Sequence, residues 1–246
     1  LINYNSKYFL QKNIHSLEWT ATVFIRYTVL LCVPLFLLLT GFLLSNRKPN
    51  RKHYSSIIPV LIPWLLLTAI INVAEWNIFG PTTVSIPRAL IYFFGFSYGY
   101  TWYVEMYLCL FLVVPFINVL LDNLSKKAQL SLIAIVGALT LLPAVGKSFL
   151  VDEIWLSIFP EQFENAYCIT YYLIGAYIAR HKPQPSRILC TLAFVSAVGI
   201  EVAIVALYSK GEYAWWLFTQ YSALPHAVAA TALFLIFYRV KKLPRP

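Results

Sequence analysis

Charged residues are scarce in this chain of 246 residues, and their scarcity excludes a soluble domain. Only 12% of the residues are charged, whereas 60% are hydrophobic and the mean hydropathy is +0.69. The interior of a water-soluble fold of this size could not enclose so many apolar side chains. The apolar runs are continuous rather than alternating, which excludes a barrel. The composition therefore predicts an all-α, polytopic bundle of transmembrane helices.

Patterns for metal, redox and nucleotide chemistry are also missing. The four cysteines lie inside apolar runs without metal or redox spacing, so we interpret them as small buried hydrophobic residues: Cys32, Cys109, Cys168 and Cys190. The sequence contains no P-loop, dinucleotide fingerprint or G-x-S-x-G elbow. We therefore expect no metal and no bound cofactor. The net charge of +9 does not indicate nucleic acid as a partner, because the basic residues cluster in short loops between apolar runs.

Seven apolar runs are candidates for membrane spans, since a span needs about 20 apolar residues. They lie near residues 22–45, 56–77, 101–121, 129–146, 167–180, 188–208 and 219–239. Of the 19 lysines and arginines, 13 lie in the loops on one side, five lie on the other, and Arg26 lies within the first span. The positive-inside rule then places residues 1–20, 78–100 and 147–166 outside. We expect a multi-pass membrane protein whose helices contact the lipid bilayer.

Two charged side chains lie about one turn inside the outer ends of their spans. Glu105 follows the aromatic residues Trp102 and Tyr103, which suit the headgroup boundary, and Arg26 lies at a similar depth. A charge at the centre of a membrane helix costs roughly 2.5–3.5 kcal/mol on insertion scales, and less near the interface. Two interpretations remain open. The charges form a closed ion pair between two helices, or they line a polar cavity where the aromatic residues stack on a sugar.

Two further titratable residues within spans are Glu201 and His226, which lie in adjacent spans about seven residues from the outer ends. They predict an interhelical hydrogen bond, or a pair that fixes a histidine tautomer and relays a proton. The other histidines lie in loops, where solvated side chains are expected: His15, His53 and His181.

The loop Asn46–Tyr54, with the sequence NRKPNRKHY, carries four cations in nine residues. The positive-inside bias alone accounts for such a loop. The alternative is a binding site for the phosphates of a cytoplasmic donor, because cationic side chains suit phosphate and pyrophosphate.

Three segments resemble acyltransferase family 3, the bacterial membrane O-acyltransferases. Ile25-Arg26 and Cys32-Val-Pro-Leu-Phe-Leu-Leu-Leu-Thr-Gly-Phe-Leu-Leu44 resemble the VPLFFxxSGF signature of that family. Trp102-Tyr-Val-Glu-Met-Tyr, followed by Pro115-Phe-Ile-Asn, is similar to its W-[FY]-…-P segment. Tyr171-Tyr-Leu-Ile-Gly-Ala-Tyr-Ile178 is a third match. Together they cover most of the first 180 residues, and their order is more specific than any one of them.

The resemblance implies an enzyme that transfers an acyl group other than an aminoacyl group. The donor would be cytoplasmic acyl-CoA, with acetyl-CoA the commonest, and the acceptor a hydroxyl of a cell-envelope or secreted glycan. The family has a catalytic histidine in its first helix, ten residues after an arginine. This sequence lacks that helix, so we expect residues 1–246 to be one acyltransferase-like domain that continues before Leu1 and also after Pro246.

The resemblance also assigns roles to residues and a location to the protein. Arg51 and Lys52 occupy the region of the family's Arg-x-x-Arg motif, with different spacing, and are predicted to contact the donor. The charges within the spans and the aromatic residues beside them, rather than the resemblance, predict that Glu105 and Arg26 are catalytic and that Trp102 and Tyr103 bind the glycan or lipid-linked glycan acceptor. The implied location is the bacterial plasma membrane. The alternative function is a transporter or flippase for a lipid-linked glycan, although the chain has no internal repeat.

Overall fold

The computed structural model describes residues 14–79, 102–149, 161–210, 213–214, 217–218 and 220–238. Regular structure within those residues is helical and includes no strand, which confirms the all-α prediction. A 3₁₀ helix covers Glu161–Ala166. The α-helices in chain order are α1 (Leu17–Leu30), α2 (Cys32–Leu44), α3 (Arg51–Ser55), α4 (Ile58–Phe79), α5 (Trp102–Asp122), α6 (Lys126–Phe149), α7 (Tyr167–His181), α8 (Arg187–Tyr208) and α9 (Leu224–Phe237).

Five helical stretches in the described residues are long and apolar enough to cross a membrane. They are Leu17–Leu44, Arg51–Ile71, Trp102–Asp122, Lys126–Ala144 and Arg187–Tyr208. The other two predicted spans, 167–180 and 219–239, correspond to α7 and α9, with only 15 and 14 residues. The last helix begins at Leu224 rather than at 219 because Pro225 occupies its first turn, a position where a missing N–H is tolerated. The protein is a multi-pass membrane protein.

Local sequence explains where several helices begin and break. Ser16 caps α1 by accepting a hydrogen bond from the Trp19 backbone N–H at 3.1 Å. The first span is interrupted at Leu31, between α1 and α2. Pro34 lies three residues further on and lacks the N–H that would bond to the carbonyl of Leu30, so the helix is weakened at this point.

The chain divides into two compact units. The first comprises Leu1–Ser45 and Ser125–Pro246, and the second comprises Asn46–Leu124. In the first unit α2 and α7 form the most extensive helix–helix contact within the described residues. Gly41 of α2 lies against the backbone of Tyr172, and Gly175 of α7 lies against the backbone of Leu38. Because neither glycine has a Cβ, the two backbones approach closely, as small residues allow in membrane helices.

The basic ends of several helices lie together at one end of the first unit. The Arg180 guanidinium donates to the carbonyl of Ser45 at 2.6 Å, and His181 lies 2.9 Å from the Gln129 amide oxygen. The pKa of His181 is lowered by burial and by the nearby charges of Lys126 and Arg180. This grouping agrees with the predicted cytoplasmic side. The predicted outer segments 78–100 and 147–166 lie largely outside the described residues, so the outward face stays a prediction there.

Cysteine labelling in intact cells tests this orientation. In a cysteine-free background, single cysteines at positions 48 and 126 should resist a membrane-impermeant maleimide until the cells are permeabilised, because both positions lie on the basic side. A cysteine at position 210, which is exposed beyond the other end of α8, is the matched control and should react without permeabilisation. Labelling of positions 48 or 126 in intact cells would overturn the topology.

In the second unit, the basic segment Arg47–His53 runs along α5. Lys48 forms a salt bridge with Asp122 at the end of that helix, and the Asn118 amide donates to the carbonyl of Arg47 at 2.9 Å. The His53 imidazole Nε2 lies 3.0 Å from the carbonyl oxygen of Phe111 and its ring stacks on the Phe111 ring, with centroids 4.0 Å apart. The segment is therefore folded against the helix and is not a loose loop.

Some burial predictions were wrong. His53 was expected to be solvated, but its side chain is buried because it stacks on Phe111. His181 is half-buried through its contact with Gln129, while His15 is exposed as expected. Among the cysteines, Cys168 and Cys190 are buried, whereas Cys32 and Cys109 are exposed on apolar helix faces that suit contact with lipid.

Candidate active site

Arg26 has an aromatic support in the first unit. Its guanidinium carbon lies 5.4 Å from the centroid of the Tyr213 ring, a cation–π contact worth about 0.5–1 kcal/mol at an exposed site and more when desolvated. The Tyr213 ring packs edge-on against Trp19, with centroids 6.2 Å apart. Burial raises the pKa of the Tyr213 hydroxyl, and the charge of Arg26 opposes that shift. The arginine is thus held at the end of the unit opposite the basic helix ends.

The next residue along α1, Tyr27, points into the unit. Its hydroxyl donates to the carbonyl of Leu217 at 2.9 Å, and its ring lies edge-on to Phe218 with centroids 6.4 Å apart. Its ring centroid is also 6.0 Å from that of His226. Tyr27 therefore connects the helix that carries Arg26 to the buried end of α9.

Below Tyr27, Glu201 of α8 and His226 of α9 face each other. The distance from His226 Nδ1 to Glu201 Oε1 is 3.5 Å, and both side chains are completely buried. The predicted juxtaposition of these two residues is confirmed. The structure places His226 in the first turn of α9, however, because that helix begins at Leu224.

Two further contacts hold the chain between α8 and α9 against the bundle. The Tyr171 hydroxyl of α7 donates to the carbonyl of Tyr221 at 2.7 Å, and the Ser222 hydroxyl donates to the Glu164 carboxylate at 2.8 Å. Sequence reasoning missed these tyrosine contacts. The only local signal was that Tyr27 and Tyr171 occur within apolar runs, where a buried hydroxyl needs an acceptor.

The predicted acceptor residues of the second unit lie together in the first turn of α5. The rings of Trp102 and Tyr103 pack edge-on with centroids 5.8 Å apart, and both are half-buried, as is Glu105. A carboxylate in the first turn of a helix is stabilised by the helix dipole, typically by 0.3–1 kcal/mol. The local sequence thus places an acid and two aromatic rings at the same end of one helix.

The predicted donor residues lie on the short helix α3. Asn50 caps this helix by accepting a hydrogen bond from the His53 backbone N–H at 2.8 Å. Arg51 and Lys52 are exposed, while His53 between them and α4 is buried against α5. Two cations are therefore presented outward from a segment whose neighbours are fixed.

A family model described as an acyltransferase domain, of the family-3 type, matches residues 5–242. The chain belongs to acyltransferase family 3. No curated protein and no solved structure matches the chain.

For this member of acyltransferase family 3, the predicted site residues lie in two different units. Arg26 belongs to the first unit, together with Tyr27 and Tyr213. The other predicted site residues belong to the second unit: Arg51, Lys52, Trp102, Tyr103 and Glu105. Within the second unit, the donor and acceptor residues lie in different elements. The predicted partnership of Arg26 with Glu105 stays a prediction.

Proposed function

We propose that this protein transfers an acyl group, most simply acetyl, from cytoplasmic acyl-CoA to a hydroxyl of a cell-envelope or secreted glycan in the bacterial plasma membrane. The observation that carries the proposal is the match of residues 5–242 to the acyltransferase domain. The multi-pass helical architecture supports it, because the donor is cytoplasmic and the acceptor is on the outer side.

The reaction needs three contributions from the protein. The acceptor hydroxyl attacks the thioester carbonyl, the carbon–sulfur bond breaks, and the hydroxyl proton ends on the CoA thiol. The enzyme must bind the donor phosphates, accept the hydroxyl proton and stabilise the oxyanion that forms at the carbonyl carbon. Exposed cations suit the first of these tasks, and a fixed arginine suits the last.

Arg51 and Lys52 are our candidates for binding the donor. They are exposed on α3, and the segment that carries them is fixed by Asn50, by the stacking of His53 and by the salt bridge of Lys48. A fixed cationic segment loses less conformational entropy on binding phosphates than a loose loop would. We expect it to bind the phosphates of CoA from the cytoplasm.

Arg26, Glu105, Trp102 and Tyr103 are our candidates for the acceptor side. Trp102 and Tyr103 present aromatic faces beside the Glu105 carboxylate, an arrangement that suits a sugar ring and its hydroxyls. We assign Glu105 to orienting the hydroxyl and Arg26 to stabilising negative charge on the carbonyl oxygen.

The donor assignment predicts a specific kinetic change. Replacing Arg51→Gln and Lys52→Gln together in the complete protein should raise the KM for acetyl-CoA about tenfold or more, because two charge-assisted contacts to phosphate are lost. The maximal rate at saturating donor should change little. The measurement is the initial rate of [¹⁴C]acetyl transfer in membrane vesicles as a function of acetyl-CoA concentration.

A matched control separates donor binding from the general effect of basic charge. Lys126→Gln with Lys127→Gln removes two exposed cations from the predicted cytoplasmic side, at the start of α6. This pair should leave the KM unchanged. An equal rise in KM for both double variants, or no rise for the first, would contradict donor binding. The basic residues of the Arg47–His53 segment would then only set the orientation of the protein in the membrane.

A further inference from the structure

Glu201 and His226 form an unusual polar pair in the interior of the first unit. Both side chains are completely buried, and their closest polar atoms are 3.5 Å apart. Within the described part of the chain, neither their carboxylate oxygens nor their ring nitrogens make a hydrogen bond of regular geometry. The backbone of Gln220 comes close to the imidazole without meeting that geometry.

The burial of the pair limits how many protons it can hold. With no proton the pair would carry a buried negative charge, and with two it would carry a buried positive charge. A buried net charge costs several kcal/mol even after relaxation. One proton leaves the pair neutral overall, whichever residue carries it. The enclosed geometry therefore favours one shared proton.

The groups around Glu201 and His226 do not change the number of protons that the pair can hold. Tyr27 of α1 and Tyr171 of α7 are within electrostatic range of Glu201, and both are neutral hydroxyls that donate to backbone carbonyls. Arg26, which precedes Tyr27 in α1, lies over the Tyr213 ring. The neighbouring helices α2 and α6 contain no acid and no histidine.

We propose that Glu201 and His226 are positioning residues for the transfer reaction: they share one proton, fasten α8 to α9, and through Tyr27 hold Arg26 in its working position. The chain of contacts is continuous. The His226 ring packs on Tyr27, the Tyr27 hydroxyl binds the carbonyl of Leu217, and Arg26 follows in α1 on the Tyr213 ring. The positioning role rests on the proposed function, whereas the shared proton does not.

Infrared spectroscopy of the purified complete protein tests the shared proton without any activity measurement. The difference spectrum between the wild type and Glu201→Gln isolates the band of Glu201, which is a carbonyl band if Glu201 carries the proton and a carboxylate band if His226 does. That band should stay unchanged between about pH 5 and pH 7, because a gain or loss of a proton would leave a buried net charge. A Glu201 band that titrates within this window would overturn the shared proton.

Two substitutions at position 201 separate positioning from a merely structural role. Glu201→Leu replaces the carboxyl group with an apolar side chain of similar size and leaves the buried His226 without its partner. Removing one partner of a buried pair can destabilise a protein, so the unfolding midpoint is measured as well and kcat is taken per folded molecule. Glu201→Gln keeps an N–H that can donate to His226. We expect the leucine variant to lose about 10- to 100-fold in kcat per folded molecule, through displacement of Arg26, with the KM for acetyl-CoA unchanged. The glutamine variant should retain most of the activity.

Glu164→Gln is the matched control, since Glu164 is a buried acid of the same unit that is bound to Ser222 rather than to a histidine. It should leave kcat unchanged. A leucine variant at position 201 with normal kcat would overturn the positioning role, and so would an equal loss of kcat in the glutamine and leucine variants. If the wild-type protein transfers no acetyl group, the proposed function fails, while the infrared result still decides whether the proton is shared.

Discussion

Replacing Gly41 or Gly175 with alanine should greatly reduce the stability of the first unit. A Cβ at Gly41 would lie 2.2 Å from the carbonyl oxygen of Tyr172, and one at Gly175 would lie 2.1 Å from the carbonyl oxygen of Leu38. Both obstacles are backbone atoms, which cannot rotate away as a side chain can. The α2–α7 pair would have to separate, and we expect a loss of about 3 kcal/mol or more for each variant, at the upper end of overpacking effects.

Thermal unfolding in detergent micelles is the measurement, and Gly199→Ala is the matched control. Gly199 lies within α8, and a Cβ there would meet no atom within 4 Å. Because alanine is favoured over glycine in a helix by roughly 0.5–1 kcal/mol, the control should be neutral or slightly stabilising. Equal unfolding midpoints for Gly41→Ala and Gly199→Ala would contradict the close packing of α2 on α7.

Arg26→Gln and Glu105→Gln should each abolish most of the acyl transfer while leaving the protein folded. Loss of a group that stabilises charge in a transition state, the role assigned to Arg26, typically lowers kcat by about 10²–10³. Loss of a group that orients the attacking hydroxyl, the role assigned to Glu105, can cost about 10²-fold. Arg26 is half-buried over Tyr213, and Glu105 is half-buried in the first turn of α5, so both side chains have room to meet a substrate. The measurements are the rate of acetyl transfer and the unfolding midpoint of the same preparations.

The alternative, a closed ion pair between these residues, predicts a different result. Breaking a buried pair usually destabilises a protein by roughly 3–5 kcal/mol, so Glu105→Gln would then lower the unfolding midpoint strongly. Lys210→Gln, which removes an exposed cation just beyond α8, is the control and should change neither rate nor stability. Full activity with normal stability in both variants would exclude both interpretations of Arg26 and Glu105.

The sequence predicted the helices because continuous apolar runs have few alternative structures in a membrane. Two of the segments that resemble acyltransferase family 3, Cys32–Leu44 and Tyr171–Ile178, also proved to be packing partners, since Gly41 and Gly175 lie in the α2–α7 contact. The proximity of Glu201 to His226 was also predictable, because ionisable residues within membrane spans usually face the interior of the bundle and pair with one another.

Other features depend on tertiary contacts that no local pattern contains. His53 is buried because Phe111, 58 residues further along the chain, offers a flat ring and a carbonyl oxygen. Tyr213 supports Arg26 although it lies between α8 and α9, outside every span predicted from the sequence. The start of α9 was placed too early because an apolar run alone does not distinguish a helix from the chain packed before it.

Transfer of a labelled acetyl group is the most direct test of the central claim, that this member of acyltransferase family 3 acylates an envelope glycan. Membrane vesicles that contain the complete protein would receive [¹⁴C]acetyl-CoA on the cytoplasmic side, and the glycan fraction would be isolated and treated with mild alkali. The account predicts alkali-labile label in the glycan, dependent on the protein and reduced about 100-fold by Arg26→Gln. Label that never reaches the glycan fraction, or that reaches it equally without the protein, would contradict the account.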